Sequence, residues 1–396
     1  MKKSALLLCL WIVLNSGLSY AKDFGIIIDQ SAGYGGLVSG AGADYKGALV
    51  PYFSSPIGDA ADIYISAGLV IEYGNDVVRF VPELLRTEIS WLFNIGELKA
   101  GRMFYSDPLG FIANGLFDGA RVSIPTEAGT FSAEAMYSGL LYKRRIDITM
   151  TTQEAEAYAR EPDFNDFAGT YFAPGRIAAA LEWEHLSLGG PLQVRAAILG
   201  QFDTGGGLHS QYVAAKISLP LHVITVDLGA CLELIQNEET FETAAAAELG
   251  LHTSLPTPLQ DRLSFNARYS TGRDGSTIAA FLPLTTQAQG EILKAKLSGL
   301  SLLSLDYTAR LFPTFSAGIS STYFIRSDLE TYAAYPTSGD SDGYFLGSEF
   351  FVRLMWSPFS DLQINLGGGV FLPSLGDAAP DADAAWRIEL NVIFSL

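Results

Sequence analysis

Apolar and polar residues alternate one by one over the last stretch of this chain. Trp386, Ile388, Leu390, Val392, Phe394 and Leu396 fall on one face of an extended segment, and Arg387, Glu389, Asn391 and Ser395 on the other, because side chains in a strand point to opposite sides with a period of two. The same dyad recurs throughout. Ile63, Ile65, Ala67, Leu69 and Ile71 oppose Asp62, Tyr64, Ser66, Gly68 and Glu72. Leu192, Val194, Ala196, Ile198 and Phe202 oppose Gln193, Arg195, Gln201 and Asp203, while Ile224, Val226, Leu228, Leu232 and Leu234 oppose Thr225, Asp227, Gly229 and Glu233. Leu263, Phe265 and Tyr269 oppose Ser264, Asn266, Arg268 and Ser270, and Leu303, Leu305, Tyr307 and Leu311 oppose Ser304, Asp306, Thr308 and Arg310. The pattern predicts many strands, each with a face for lipid and a face for water.

The connections sort into two sets. Short ones rich in Pro and Gly fall at 55–59, 94–97, 125–129, 188–191, 219–222, 256–261, 313–316 and 357–361, and longer polar ones at 143–172, 271–297, 327–344 and 372–384. Transmembrane barrels have short periplasmic turns and longer outer loops. Eight short turns with both termini periplasmic predict a single antiparallel transmembrane β-barrel of about 18 strands, all-β, with 16 as the runner-up. A soluble sandwich also alternates, but aromatics near predicted strand ends favour a headgroup boundary: Tyr73, Trp91, Phe93, Tyr105, Tyr142, Trp183, Phe312, Tyr323, Trp356 and Trp386.

Residues 1–21 read as a secretory signal, with Lys2 and Lys3 ahead of an apolar run from Ala5 to Leu14 and a small-residue cleavage pattern ending at Ala21. The mature barrel domain is then 22–396, exported to the outer membrane of a diderm bacterium. Removing the signal leaves 23 basic against 43 acidic side chains, a formal charge of −20, so nucleic acid is excluded as a partner. It also leaves Cys231 without an intrachain disulfide partner. Outer-membrane lipid and the barrel-assembly machinery are the expected partners, and the sequence does not define an oligomer. Strand-like sequence from Asp23 to Ser31 leaves no room for a plug ahead of the barrel.

If the apolar face meets lipid, the polar face lines a lumen. Arg86, Arg121, Arg176, Arg195, Lys216, Arg268, Arg310, Arg326, Arg353 and Arg387 supply its bases, and Glu88, Glu134, Glu182, Glu184, Asp227, Glu233, Glu248, Asp306, Glu349 and Glu389 its acids. These either form a charged constriction that selects solutes or cross-link the wall as ion pairs. The loop 143–172, with Lys143-Arg144-Arg145 ahead of Glu154, Glu156, Glu161, Asp163 and Asp166, is the longest candidate to narrow the lumen, although a solvated surface loop is the favoured reading. Glu238, Glu239, Asp340, Asp342, Asp377, Asp381 and Asp383 are read as solvated rather than as a cation site.

No catalytic constellation emerges. His185 projects toward lipid by alternation, His209 lies in a Gly-rich loop, His222 in a turn and His252 at a strand end, none beside a nucleophile motif. Gly205-Gly206-Gly207 lacks the Lys and Ser/Thr of a phosphate loop. No enzyme activity, cofactor or metal is expected.

The segments Gly101–Gly110 and Asn114–Val122 pair a Gly-Arg strand with a Phe-Asp-Gly opening the next one. This resembles the alginate-export-type family of outer-membrane barrels, as do Ser298–Tyr307 and Gly369–Pro373. The resemblance implies an 18-stranded, porin-like barrel passing an anionic polysaccharide through an Arg-rich constriction, to which Arg102 and Arg121 carry over. The balanced inward charges and acidic loops depart from a polyuronate exporter, and Leu396 replaces the common terminal aromatic. The expectation is a channel for small solutes or a polymer; the alternative is a non-conducting barrel acting through its surface loops as an adhesin or structural protein.

Overall fold

The computed structural model describes residues 23–37, 40–74, 76–237, 240–275, 278–331 and 342–396. The signal segment 1–21, Glu238, Glu239 and Asp340 lie outside them. The described residues form eighteen strands. The first nine are β1 (Asp23–Leu37), β2 (Gly40–Ile57), β3 (Ala61–Gly74), β4 (Val77–Phe93), β5 (Gly96–Ser106), β6 (Asn114–Thr126), β7 (Gly129–Tyr137), β8 (Arg176–His185) and β9 (Gln193–Asp203). The others are β10 (Leu208–Leu221), β11 (Ile224–Asn237), β12 (Phe241–Ser254), β13 (Arg262–Ser270), β14 (Leu300–Phe312), β15 (Phe315–Arg326), β16 (Phe345–Phe359), β17 (Leu362–Leu372) and β18 (Ala385–Ser395).

Each strand pairs antiparallel with its sequence neighbours, and β1 closes the sheet against β18 from Ile27↔Ser395 to Gly36↔Trp386. Closure satisfies the edge groups that a bilayer would leave without partners. The eight short connections of the sequence all lie at one rim, the rim that holds both ends of the described chain. The other rim departs from the simple rule: 138–175, 271–299, 327–344 and 373–384 are long, whereas several of its connections, such as 204–207, are tight.

Alternation decides what each face does. In β8, Arg176, Ala178, Ala180 and Glu182 point inward and are buried, while Ile177 and Leu181 between them are 51% and 63% exposed. Around the wall, Leu69, Phe80, Ile198, Val213, Leu228, Leu232, Leu305, Ile319, Phe350 and Ile388 are likewise exposed outward, an apolar belt that suits acyl chains. Aromatic contacts flank it, including Trp91 with Phe93 and Tyr34 with Trp386. Tyr105 and Tyr142 are exceptions to the expected belt. Tyr105 points inward, fully buried, and its hydroxyl donates to Glu182 at 3.0 Å, and Tyr142 packs with Tyr171, Val70 and Val81.

The hydrophobic core of this protein lies inside the barrel. Inward-facing Ala178, Ala180, Ala214, Ala244 and Ala246 leave room against the wall, and Leu109, Phe111, Ile112, Phe281 and Leu284 from two outer connections fill it. Burying each large side chain of this kind contributes about 1.5–3 kcal/mol, so the inward fold of these loops is stabilised by the same effect that builds a soluble core.

Candidate conduction path and constriction

Three loops enter the barrel, each held by a buried acid or base. In the connection 107–113, the carboxylate of Asp107 accepts the backbone N–H groups of Leu109, Gly110, Ile112 and Ala113 at 2.8, 3.0, 2.8 and 2.9 Å. Four charge-assisted bonds fold this short segment into a knot that presents Leu109 and Phe111 to the interior.

The loop 138–175 is also drawn inward, contrary to the reading of 143–172 as a solvated surface loop. Ile146 and Ile148 are buried, Lys143 donates to the carbonyls of Ala157 and Arg160 at 2.7 Å each, and Arg145 forms a bidentate pair with buried Glu83 at 2.7 Å. A helix at Thr152–Ala159 starts with a capping box between Thr151 and Glu154. Arg176 of β8, 1% exposed, reaches Glu154 at 2.7 Å, Gln201 at 2.5 Å and the Leu208 carbonyl at 3.0 Å. Of the acidic run, Glu154 partners Arg176 and Glu161 partners Arg79 and Arg144, while Glu156, Asp163 and Asp166 are exposed.

The connection 271–299 crosses the lumen. Glu233 accepts the N–H of Leu282 at 2.9 Å and Tyr212 donates to its carbonyl at 2.7 Å, fixing one end. Farther on, Gln289 and Ala295 bridge as a small hairpin whose tip is pinned by Glu349 of β16, which accepts from Glu291, Ile292 and Leu293 at 2.6, 2.9 and 3.0 Å. Thr285 donates to Ile112 at 3.1 Å and Thr286 to Asp147 at 2.8 Å, so the three loops are one hydrogen-bonded structure. Phe111 meets Phe281 edge-on at 6.2 Å.

Bases line the wall these loops leave open. In the ladder of pairs, Arg195 stands opposite Lys216, Lys216 opposite Gly229, Gly229 opposite Glu248, and Glu248 opposite Arg268, a row across β9 to β13. Lys216 pairs with Glu248 at 2.7 Å, Arg268 with Glu248 at 3.6 Å, and Arg195 with Glu184 at 3.7 Å. Gly229 lets Leu109 of the loop pack onto the row, because a Cβ there would collide with Leu109 and Glu248. A recess of about 190 Å³ is lined by Pro108, Glu184, Arg195, Lys216 and Ser218, and a neighbouring one of about 90 Å³ by Lys216, Asp227, Glu248, His252 and Arg268. Arg121 continues the wall, ion-paired with Glu134 at 3.0 Å and facing Glu182 at 3.5 Å.

The predicted lumen bases therefore divide. Arg121, Arg195, Lys216 and Arg268 gather on one wall. Arg353 pairs with Glu291 of the hairpin at 2.5 Å, and Arg387 is bidentate to Asp44 at 2.6 and 2.8 Å. Arg86 stacks on Tyr64 at 4.9 Å and pairs with Glu88. Arg102, Arg176 and Arg310 do not line a constriction. Arg102 is buried against Asp118 and the carbonyls of Leu84 and Leu140, Arg176 ties down a loop, and Arg310 bonds Gln260 and the Pro313 carbonyl at the turn rim. Arg326 is buried and donates to the Gly343 carbonyl at 2.6 Å. Alternation assigns a face, and depth and loop contacts decide the rest.

His209 belongs to β10, where its Nδ1 accepts from the Asp203 N–H at 3.1 Å, and His252 lies 3.1 Å from Asp227. Among the described residues no group of three or more His, Cys, Asp or Glu is placed to hold a metal ion. The loop residues Pro108, Leu109, Phe111 and Phe281 escaped the sequence reading. The apolar runs Pro108–Ile112 and Phe281–Leu284, sitting between strands where polar loops are the rule, are the signal that marks them.

No family model and no curated protein sequence matches this chain. Solved structures do. Pseudomonas aeruginosa OccK5 (OpdH) aligns with a TM-score of 0.64 at 11% identity, covering 95% of this chain and 98% of that one. P. aeruginosa OpdK with vanillate aligns at 0.63 and 9% identity, and OccK2 (OpdF) in complex with glucuronate at 0.61 and 12%, each over 95% of this chain and 98% of the other. At such identities the likeness is one of fold. It supports the porin-like barrel and gives the alginate-export resemblance no footing beyond that architecture.

Proposed function

We propose that this protein is an outer-membrane channel for small anionic solutes. The observation that carries the reading is the row Arg195, Lys216 and Arg268, partly exposed along the open recesses of a lumen otherwise narrowed by three inward loops. Charged groups lining a narrow aqueous path favour one sign of solute, and guanidinium and ammonium groups suit a carboxylate. Vanillate and glucuronate, with which two of the structural neighbours were solved, are both carboxylates. A loop bar tied to both flanks of the barrel disfavours polymer export and suits compact solutes. The reading places the barrel in the outer membrane of a diderm bacterium, delivered by a signal segment cleaved near Ala21 and the barrel-assembly machinery, with lipid against its apolar belt. It includes no catalysis. Purified folded protein in a planar bilayer tests it: stepwise conductance is expected, and a sealed bilayer would return the barrel to the alternative of a non-conducting surface protein.

A further inference from the structure

Most bases on the inward face are neutralised within ion-pair distance, so an inward base without such a partner acts at longer range. On the hairpin pinned by Glu349, buried and exposed positions alternate: Leu293, Ala295 and Leu297 pack away, and Lys294 and Lys296 between them are exposed. Lys296 reaches the Thr149 hydroxyl at 2.8 Å. Lys294 has no ion pair within 4 Å among the described residues, and its backbone sits in the left-handed region at φ 50°, a conformation uncommon for a residue with a Cβ. Its surroundings are rigid. The three N–H bonds to Glu349 hold the preceding residues, and Ile292 and Leu293 sit in a cluster with Phe324, Phe351 and Phe371. The charged groups facing the tip are Glu291, already paired with Arg353, and Asp44, which lies within electrostatic reach of Lys294 and is held bidentately by Arg387, itself also paired with Glu389.

We propose that Lys294 is a specificity-determining residue of the channel, an exposed cation with no ion pair within 4 Å among the described residues, presented by the loop bar to anions in transit. It complements the Arg195–Lys216–Arg268 row from a different element, since it comes from a loop and they come from the wall. The assignment rests on the channel reading above. A strained backbone at an exposed, unpaired lysine fits a position kept for what it presents, because nothing in the local packing uses its side chain.

The test compares wild type with Lys294→Glu and Lys294→Met in planar bilayers under a KCl gradient. The expected result is a conductance within about twofold of wild type, with the chloride-to-potassium permeability ratio lowered about two- to fivefold in K294E, less in K294M, and restored in K294R. Glu349→Gln provides a separate readout: it loosens the hairpin, so current noise rises, and combining it with K294E should shrink the selectivity shift because the charge is no longer held in place. Variants that conduct normally with an unchanged permeability ratio would overturn the assignment while leaving the channel reading intact. A folded wild type that conducts nothing would overturn both.

Discussion

Arg195 and Lys216 stand directly opposite one another on β9 and β10, both facing the lumen. Like charges in direct cross-strand register destabilise a sheet by a few tenths to about 1 kcal/mol. Glu184 and Glu248 offset this from either side, at 3.7 and 2.7 Å, yet the two bases remain partly open to the adjoining recess. A wall built only for rigidity would alternate signs here. Two adjacent cations suit the proposed path for anions.

Loop anchoring and solute selection are separable. Arg176 is fully buried and bonded to Glu154, Gln201 and the Leu208 carbonyl, so Arg176→Ala strands a buried carboxylate. Breaking such a pair costs about 3–5 kcal/mol. Denaturant unfolding in detergent micelles should show a loss of that order, and proteolysis within 143–172 should accelerate, while the permeability ratio of surviving channels stays as in wild type. A shift in ion preference without a stability loss would contradict the tether role.

The apolar centre of the loop bar should set the width of the path. Phe281 packs between Phe111 and Tyr212, fully buried. Phe281→Ala should cost about 3–5 kcal/mol and raise single-channel conductance as the loops 107–113 and 271–299 lose their shared contact. Unaltered conductance together with the stability loss would mean that the path runs elsewhere.

Acid should release the outer part of the 138–175 loop. Hydrogen bonding to Arg79, reinforced by Arg144, holds the Glu161 carboxyl below its usual range. A carboxylate depressed in the folded state stabilises above its unfolded pKa, about 4.3 for Glu, and the contribution disappears as pH falls through the lower folded value. Because Glu161 is about half exposed, the effect is local and salt-sensitive. Hydrogen exchange around residue 161 should be flat from neutrality down to about pH 5 and rise below pH 4, and Glu161→Gln should remove that rise. An increase centred near neutrality would point to a different group.

Much of the barrel is legible in the chain. Alternation in Asp62–Glu72 and Trp386–Leu396, and turn residues such as Asn94-Ile95 and Pro256-Thr257-Pro258, suffice for eighteen strands and their closure, because both are local consequences of a period of two and of backbone punctuation. The interior is not. Nothing local marks Ala178, Ala214 and Ala246 as core positions, and only Phe111 and Phe281 arriving from distant loops make them walls of a core. Arg102 and Arg176 are inward as alternation requires, but their depth depends on contacts with Leu140 and Glu154, many residues away. Long-range loop packing, rather than strand formation, determined which charges meet the path.

The central claim is that the Arg195–Lys216 wall gives this barrel a preference for anions. The reversal potential of single folded channels in a KCl gradient, measured for wild type and for the double variant Arg195→Glu with Lys216→Glu, tests it most directly. An anion-favouring wild type whose preference inverts in the double variant is the predicted result. Equal permeability ratios in two conducting proteins, or a wild type already favouring cations, would contradict the claim.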